Sequence, residues 1–346
     1  MNSQLVLSVL DGLPMPALVI DQADHIIALN AHAKSLFGPD LEGRHYILTL
    51  RQPSLLDAIE GTLRHRQAGQ ARHVITGPAR EVTYLVHVNP IAGEGQQGAL
   101  CVFEDITDAE QIGEIRRDFV ANVSHELRTP LTALLGFIET LRGAAKDDPV
   151  ARERFLGIME HEAGRMNRLV RDLLHLSRVE AEERVRPTEL VDLSAIIAMA
   201  TATLKPMADA AGVVVRVTGL PGPLKLPADA DQLTQVFHNL IENAIKYGAA
   251  GKTVTVNISR DPRDPNLRAP AIKVDVADQG EGIDALHLPR LAERFYRVDS
   301  HRSREKGGTG LGLAIVKHII NRHRGRFRIE SDLGKGSVFT VILPDA

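Results

Sequence analysis

Two long stretches between about residues 108 and 181 carry apolar side chains at intervals of three and four. This spacing places the apolar side chains on one face of an α-helix. The pattern runs from Phe119 to Leu141, breaks at the turn-like segment RGAAKDDPV, and resumes from Phe155 to Leu176. It predicts an antiparallel helical hairpin. Two helices alone bury too little apolar surface, so we expect two copies of the chain to pair into a dimeric four-helix bundle, which makes the protein a homodimer.

The sequences on either side of the hairpin predict two further domains. Before it, the strand-like runs are ALVID, HIIALN, REVTYLVHVNPI and GALCVFEDIT, which indicate an α+β domain. After it, strands alternate with helices such as DQLTQVFHNLIENAIKYG, which indicates a mixed sheet with helices on one face, an α/β sandwich. We therefore predict a multidomain chain, with domains at residues 1–107, 108–185 and 186–346.

Charge and composition argue against several classes of protein. The formal net charge is −3 and no long basic run is present, so nucleic-acid binding is not expected. The single cysteine, Cys101, lies in the apolar run ALCVF, which is typical of a buried strand residue, and it excludes an intrachain disulfide. No apolar run reaches the roughly 18 residues that a membrane span requires, so we expect a cytoplasmic chain without a span; association with a membrane would require a partner or an upstream segment.

The first predicted helix contains the heptapeptide SHELRTP, residues 124–130. His125 should lie at the edge of the apolar stripe or outside it, and a neutral imidazole, with a pKa of about 6.5, can attack a phosphoryl centre. Glu126 could hydrogen-bond one ring nitrogen and leave the other as the nucleophile. Pro130 removes a backbone hydrogen bond, so we expect some bending just past His125. Taken alone, however, His125 is typical of an ordinary surface histidine.

A second polar cluster follows in the segment HNLIENAIKYG. Helical spacing by threes and fours places Asn239, Asn243, Lys246 and Tyr247 on one face. Amide oxygens such as that of Asn243 are reasonable ligands for Mg²⁺, and Lys246 can meet a phosphate as a point charge. A helix with asparagine and lysine on its exposed face is common, so this segment alone is weak support for a site.

Two glycine-containing segments come later in the chain. In the first, a predicted strand ends at Asp278, followed by Gly280 and Gly282, where a carboxylate could accept from an adenine amino group while the backbone approaches the ring. In the second, GGTGLGL opens a helix, and the residues that could offer backbone N–H groups to phosphate are Gly308, Thr309, Gly310, Leu311 and Gly312. This segment lacks the Lys-Ser ending of a P-loop and the acidic residue of a dinucleotide-binding fold.

These four segments, in this order, resemble the conserved boxes of two-component sensor histidine kinases. The resemblance implies that ATP phosphorylates His125, that Glu126 assists as a general base, and that Thr129 helps to position water for phosphatase activity. It implies that Asn243 binds Mg²⁺ and that Asp278 gives adenine specificity. It also implies a GHKL-type ATP-binding domain and transfer of the phosphoryl group to an aspartate of a response regulator receiver domain.

The same resemblance covers the segment ERFYRVDSHRSREKGG, which is similar to the mobile ATP lid of these kinases. There Phe295 belongs to the F box, and Arg297 reaches the phosphates. Within the family, the chain is similar to the PAS-bearing phosphate-regulon sensor kinases.

The N-terminal third resembles a PAS sensory domain. The resemblance rests on a strand–turn–strand–helix order in LPMPALVIDQADHIIALNAHAKSLFG and on Asn30 just before the helix. The domain ends in DIT and leads directly into EQIGEIRRDF. We therefore expect a change in this domain to pass mechanically into the helix that carries His125.

Two other classes of function remain as alternatives. The first is an ATPase of the same nucleotide-binding fold that forms no phosphohistidine, like the gyrase, Hsp90 and MutL relatives, and the HELRTP segment argues against it. The second is a non-catalytic PAS scaffold, and the complete set of Asn243, Asp278 and glycine segments argues against that.

Overall fold

The structure is a computed structural model that describes residues 8–77, 81–93, 96–248, 253–265, 267–298 and 308–345. The chain divides into two compact units, Met1–Ala121 and Asn122–Ala346. Within the described ranges, every helix is too short or too polar to cross a membrane.

The first unit is built on a five-stranded antiparallel sheet with the strand order β2-β1-β5-β4-β3. The strands are β1 (Ala17–Asp21), β2 (Ile26–Leu29), β3 (Gly69–Thr76), β4 (Glu81–Gly93) and β5 (Gln96–Asp105). Helices α1 (Ala31–Phe37) and α2 (Pro53–His65) accompany them, with a 3₁₀ turn at Tyr46–Leu48. The core side chains include Leu18, Ile59 and Phe103, all fully buried. This is the expected α+β arrangement.

Asn30 fixes the junction between β2 and α1. Its side-chain oxygen accepts from the N–H of Ala33 at 2.9 Å, which caps the helix, and from the N–H of Ala17 at 3.0 Å. Its amide donates to the carbonyls of Leu10 and Met15 at 3.0 and 2.9 Å. Asn30 is fully buried, so these bonds satisfy a polar group that would otherwise be costly to bury.

The predicted helical hairpin is formed by α3 (Thr107–Arg142) and α4 (Pro149–Glu182). The side chain of Asp148 caps α4, and Pro149 occupies its first turn, as helix N-termini favour. The rings of Phe137 and Phe155 stack across the hairpin with centroids 5.3 Å apart. Helix α3 continues through Pro130, although the proline removes one backbone donor.

The rest of the second unit contains a five-stranded mixed sheet with the order β11-β12-β10-β9-β7. Only the β7–β9 pair of this sheet is parallel among the described strands. The strands are β7 (Val214–Gly219), β9 (Thr253–Asp261), β10 (Ala271–Asp278), β11 (Arg326–Asp332) and β12 (Gly336–Pro344), and a separate pair is β6 (Leu190–Asp192) with β8 (Lys225–Pro227). The helices are α5 (Leu193–Ala211), α6 (Ala230–Gly248) and α7 (Gly312–Arg322).

Helices α6 and α7 pack on this sheet and position the functional site. Buried and half-buried residues alternate along β9 and β10, which shows that the helices cover one face. The buried side of α6 includes Phe237, Leu240 and Ile241, so its opposite side is left for polar residues. The prediction of a mixed sheet with helices on one face is confirmed.

Candidate active site

A cavity of about 480 Å³ lies in the second unit, beside α6, the end of β10 and the loop that precedes α7. This volume is within the usual range for a small-molecule site. The predicted residues that line it are Asn239, Asn243, Lys246, Tyr247, Asp278, Gly282, Arg297, Gly308, Thr309, Gly310 and Gly312. Segments that are far apart in sequence therefore meet around one space.

The polar face of α6 forms one wall of the cavity. Asn239 donates from its amide to the carbonyl of Gly312 at 3.2 Å, which ties α6 to the first residue of α7. The ammonium group of Lys246 lies 2.9 Å from the carboxylate of Glu242, one helical turn earlier. Asn243 and Tyr247 also line the cavity, so the four residues share a face as their spacing predicts.

Asp278, the last residue of β10, is buried in the wall of the same cavity. Its Oδ1 accepts from the N–H of Gly280 at 2.8 Å, and the backbone of Ser337 also donates to the carboxylate. Burial raises the pKa of the Asp278 carboxyl, and the two backbone hydrogen bonds oppose that rise. A carboxylate has about four acceptor positions, so acceptor capacity remains for a ligand.

Glycines allow the backbone to pack tightly around Asp278. A Cβ at Gly280 would lie 2.5 Å from the carbonyl oxygen of Tyr247, and one at Gly248 would lie 2.5 Å from the Cβ of Asp278. A Cβ at Gly336 would lie 2.1 Å from the carbonyl oxygen of Asp278. Gly280 was predicted as a site residue, but Gly248 and Gly336 were missed. A glycine that ends a helix is usually a simple cap, which hid the role of Gly248.

The loop before α7 meets the start of the predicted lid. The N–H of Phe295 donates to the carbonyl of Gly310 at 2.8 Å, and a Cβ on Gly310 would lie 2.9 Å from the Cα of Phe295. Gly310 and Phe295 both have a positive φ, of 75° and 65°. Leu311 is fully buried beneath the loop and precedes α7. The middle of the predicted lid, residues 299–307 with Gly307, lies outside the described residues.

The predicted phosphoacceptor, His125, is exposed on α3. The hydroxyl of Thr129 donates to the carbonyl of His125 at 3.1 Å. The carboxylate of Glu126 contacts the guanidinium of Arg165 at 2.5 Å and that of Arg297 at 3.4 Å. Consecutive residues of a helix point in different directions, which explains why Glu126 faces these arginines although it follows His125 in sequence.

Helix α4 contributes residues to the site that were not predicted from the sequence. Arg165 is buried and contacts Glu126, whereas Arg168, Arg171, Asp172 and His175 line the cavity. The apolar repeat of α4 accounted for the hairpin by itself, and polar positions on such a helix usually face water. The sequence therefore carried no signal for these residues.

Two family models match the chain. The model of the His Kinase A (phospho-acceptor) domain matches residues 115–182. The model of the histidine kinase-, DNA gyrase B- and HSP90-like ATPase matches residues 228–346. The first match contains His125, and the second contains all of the predicted nucleotide-binding residues.

Curated relatives match over different shares of their length. The chain is 40% identical to the phosphate regulon sensor protein PhoR of Pseudomonas aeruginosa, over 71% of the chain and 54% of PhoR. It is 34% identical to the sensor-like histidine kinase SenX3 of Mycobacterium tuberculosis, over 99% of the chain and 80% of SenX3. It is 37% identical to the sensor histidine kinase WalK of Bacillus subtilis, over 71% of the chain and 39% of WalK.

A solved structure shares the fold of the chain. It is that of histidine kinase ThkA in complex with the response regulator protein TrrA, and it matches 98% of both chains with a TM-score of 0.53 and 20% identity. At this identity the match shows the fold alone.

Proposed function

This chain belongs to the two-component sensor histidine kinases, and on that premise we propose that it transfers the γ-phosphoryl group of Mg-ATP to His125 and then to an aspartate of a response regulator receiver domain. The observation that carries the proposal is the cavity in which Asn243, Asp278 and the glycine loop meet. It lies in the same compact unit as the hairpin that presents His125. We assign residues 108–185 to dimerisation and phosphotransfer and residues 186–346 to ATP binding.

The residues around the cavity suit a magnesium nucleotide. The carboxylate of Asp278 supplies acceptor positions for the adenine amino group, and the tight glycine packing lets the base lie against backbone. The loop before α7 offers backbone N–H groups to the phosphates, and Lys246 and Arg297 add positive charge. The amide oxygen of Asn243 suits Mg²⁺, which neutralises phosphate charge when it is bound.

In the transfer step, a ring nitrogen of His125 forms a bond to the γ-phosphorus as the bond to the bridging oxygen breaks, and ADP leaves with that oxygen. The general base Glu126 takes up the ring proton, so its carboxylate must first give up its contacts with Arg165 and Arg297. In the phosphatase reaction, Thr129 positions the water that removes the phosphoryl group from the regulator.

The exposed apolar face of the hairpin supports a homodimer. Leu131 and Leu135 on α3 and Leu174 on α4 are 49%, 55% and 57% exposed. Leucines at helical spacing with this much exposure form the seam that a second copy of the hairpin would cover in a four-helix bundle.

We also propose that residues 1–107 form a PAS sensory domain. Support comes from the order β1, turn, β2, α1 and from Asn30, which is the buried cap of α1. The kinase reaction takes place in the cytoplasm in this proposal, because its substrate ATP is supplied there.

Incubation with γ-labelled ATP tests the kinase reaction. We expect an acid-labile, base-stable label that disappears in His125→Ala and persists in the control His161→Ala, because His161 is another exposed histidine of the hairpin. Asn243→Ala and Asp278→Ala should also remove the label. ATP hydrolysis without any labelled protein would favour the simple ATPase, and failure to bind nucleotide would favour the scaffold.

Phosphotransfer profiling tests the second step. Labelled protein is mixed with each purified response regulator of the organism, and we expect one regulator to gain label much faster than the others. Equal and slow transfer to all of them would contradict a dedicated partner.

A further inference from the structure

Asp172 places a negative charge of the hairpin inside the nucleotide cavity. It belongs to α4, and its Oδ2 accepts a hydrogen bond from the hydroxyl of Thr309 at 2.7 Å. Thr309 is buried in the glycine loop before α7. The hydroxyl oxygen of Thr309 also accepts from the N–H of Leu311 at 3.3 Å, so the orientation of the loop and the contact with α4 are linked.

The contact lies at the end of the cavity that suits phosphate. Backbone N–H groups of a glycine loop at a helix N-terminus attract anions, and α7 begins at Gly312. The carboxylate of Asp172 is an anion of this chain that already bonds to the loop. A triphosphate in the same place would bring more negative charge next to it, in a partly desolvated space.

We infer that Asp172 is an internal competitor for the phosphate groups of the nucleotide, so that Mg-ATP binding and the Asp172–Thr309 contact exclude each other. This inference rests on the proposed function of the cavity. While the contact is closed, it holds α4 against the glycine loop. Binding of ATP breaks this contact and releases α4 from the loop. The phosphoacceptor hairpin can therefore move relative to the loop when nucleotide is bound.

Two ion pairs keep Asp172 close to the loop. Towards the end of α4, Glu180 contacts Arg294 at 2.6 Å, and Glu182 contacts Arg322 at 3.0 Å. These contacts tether α4 beside the catalytic domain, so Asp172 acts at a high effective concentration. The apparent affinity for a phosphate-bearing ligand is then the intrinsic affinity multiplied by the fraction of molecules in which the contact is open.

The test compares ligands with and without phosphates by isothermal titration calorimetry of the full chain. Asp172→Ala removes the competitor, and Asp172→Asn removes its charge but keeps an acceptor for Thr309. If the contact is closed in about nine molecules of ten, Asp172→Ala should bind Mg-AMP-PNP about tenfold more tightly, with Asp172→Asn in between. The affinity for adenosine, which has no phosphates, should stay the same.

Glu160→Ala is the matched control, because Glu160 is an exposed carboxylate on the same helix and does not line the cavity. It should bind both ligands as the wild type does. The adenosine affinity also shows that each variant keeps a folded site.

The outcomes separate this inference from the proposed function. If the wild type binds no Mg-AMP-PNP, the proposed function fails. If the wild type binds it and both Asp172 variants bind it equally well or less tightly, the kinase proposal stands and the competitor role of Asp172 is wrong.

Discussion

Exchange of Asp278 for asparagine changes one hydrogen-bonding position in the wall of the cavity. In the native protein the carboxylate accepts from the backbone of Gly280 and of Ser337, and its remaining lone pairs can accept from the amino group of adenine. In Asp278→Asn one oxygen becomes an NH₂ group. That group donates, so it opposes the adenine amino group, but it can pair with the carbonyl oxygen of hypoxanthine.

The magnitude follows from the kind of bond that is lost. A hydrogen bond to a charged group contributes about 1.5–3 kcal/mol, so Mg-ATP should bind about 10- to 150-fold more weakly to Asp278→Asn. Mg-ITP should bind more tightly than it does to the wild type, because a repulsive pair of acceptors becomes a donor and an acceptor. The ratio of the two affinities should therefore fall by more than the loss for ATP alone.

Titration calorimetry with Mg-AMP-PNP and Mg-ITP measures both affinities. Asp231→Asn is the control, since Asp231 is exposed in the first turn of α6 and does not line the cavity. A reduced affinity for ATP with an unchanged ATP/ITP ratio would mean that Asp278 acts only on the fold. An unchanged affinity for both would refute its assignment to the base.

Three further predictions concern stability and assembly. Asn30→Ala should lower the free energy of unfolding of the first unit, measured by hydrogen exchange, by about 2–4 kcal/mol, because α1 loses its cap and the N–H of Ala17 loses its acceptor. The control Asn89→Ala, at an exposed residue, should change this free energy by less than about 0.5 kcal/mol. Burial lowers the pKa of His323, so between that lowered pKa and the unfolded value of about 6.5 the unfolded chain binds a proton that the folded chain does not bind. As the pH decreases through this range, the free energy of unfolding of the second unit should decrease by up to about 1.4 kcal/mol per pH unit. In His323→Gln this contribution to the pH dependence should be absent. Leu135→Lys should be monomeric in light scattering, whereas the control Val150→Lys, at the exposed start of α4, should remain dimeric. If both variants are dimers, the four-helix bundle is wrong.

Elements with a clear apolar period were predictable from the sequence. Helices α4, α6 and α7 bury apolar residues at helical spacing, and α3 has the same spacing of apolar residues, so all four were predictable. Strand β3 was missed because its buried positions are Ala71 and His73, one small and one polar, so its alternation is weak. Helix α5 was missed as well, and it contains Pro206. Tertiary packing decided these elements where local pattern did not.

The residues of the candidate site also differ in how far the sequence predicted them. Residues within one short motif, such as Asn239 and Asn243, were predicted because helical spacing alone places them together. Asp172 and Thr309 are 137 positions apart, so only the folded chain brings their side chains into contact. Glu126 was predicted as a partner of His125, but its two arginines come from α4 and the start of the lid, at distances in sequence that no local rule covers.

The glycines around Asp278 have a consequence for natural variation in this gene. Every amino acid other than glycine carries a Cβ, so any missense change at Gly248, Gly280 or Gly336 would drive an atom into the positions that Asp278 and its neighbours occupy. Such an allele would keep every polar residue of the nucleotide site and still lose its substrate. A catalogue of harmful variants that weighed only charged and polar positions would pass over these three glycines.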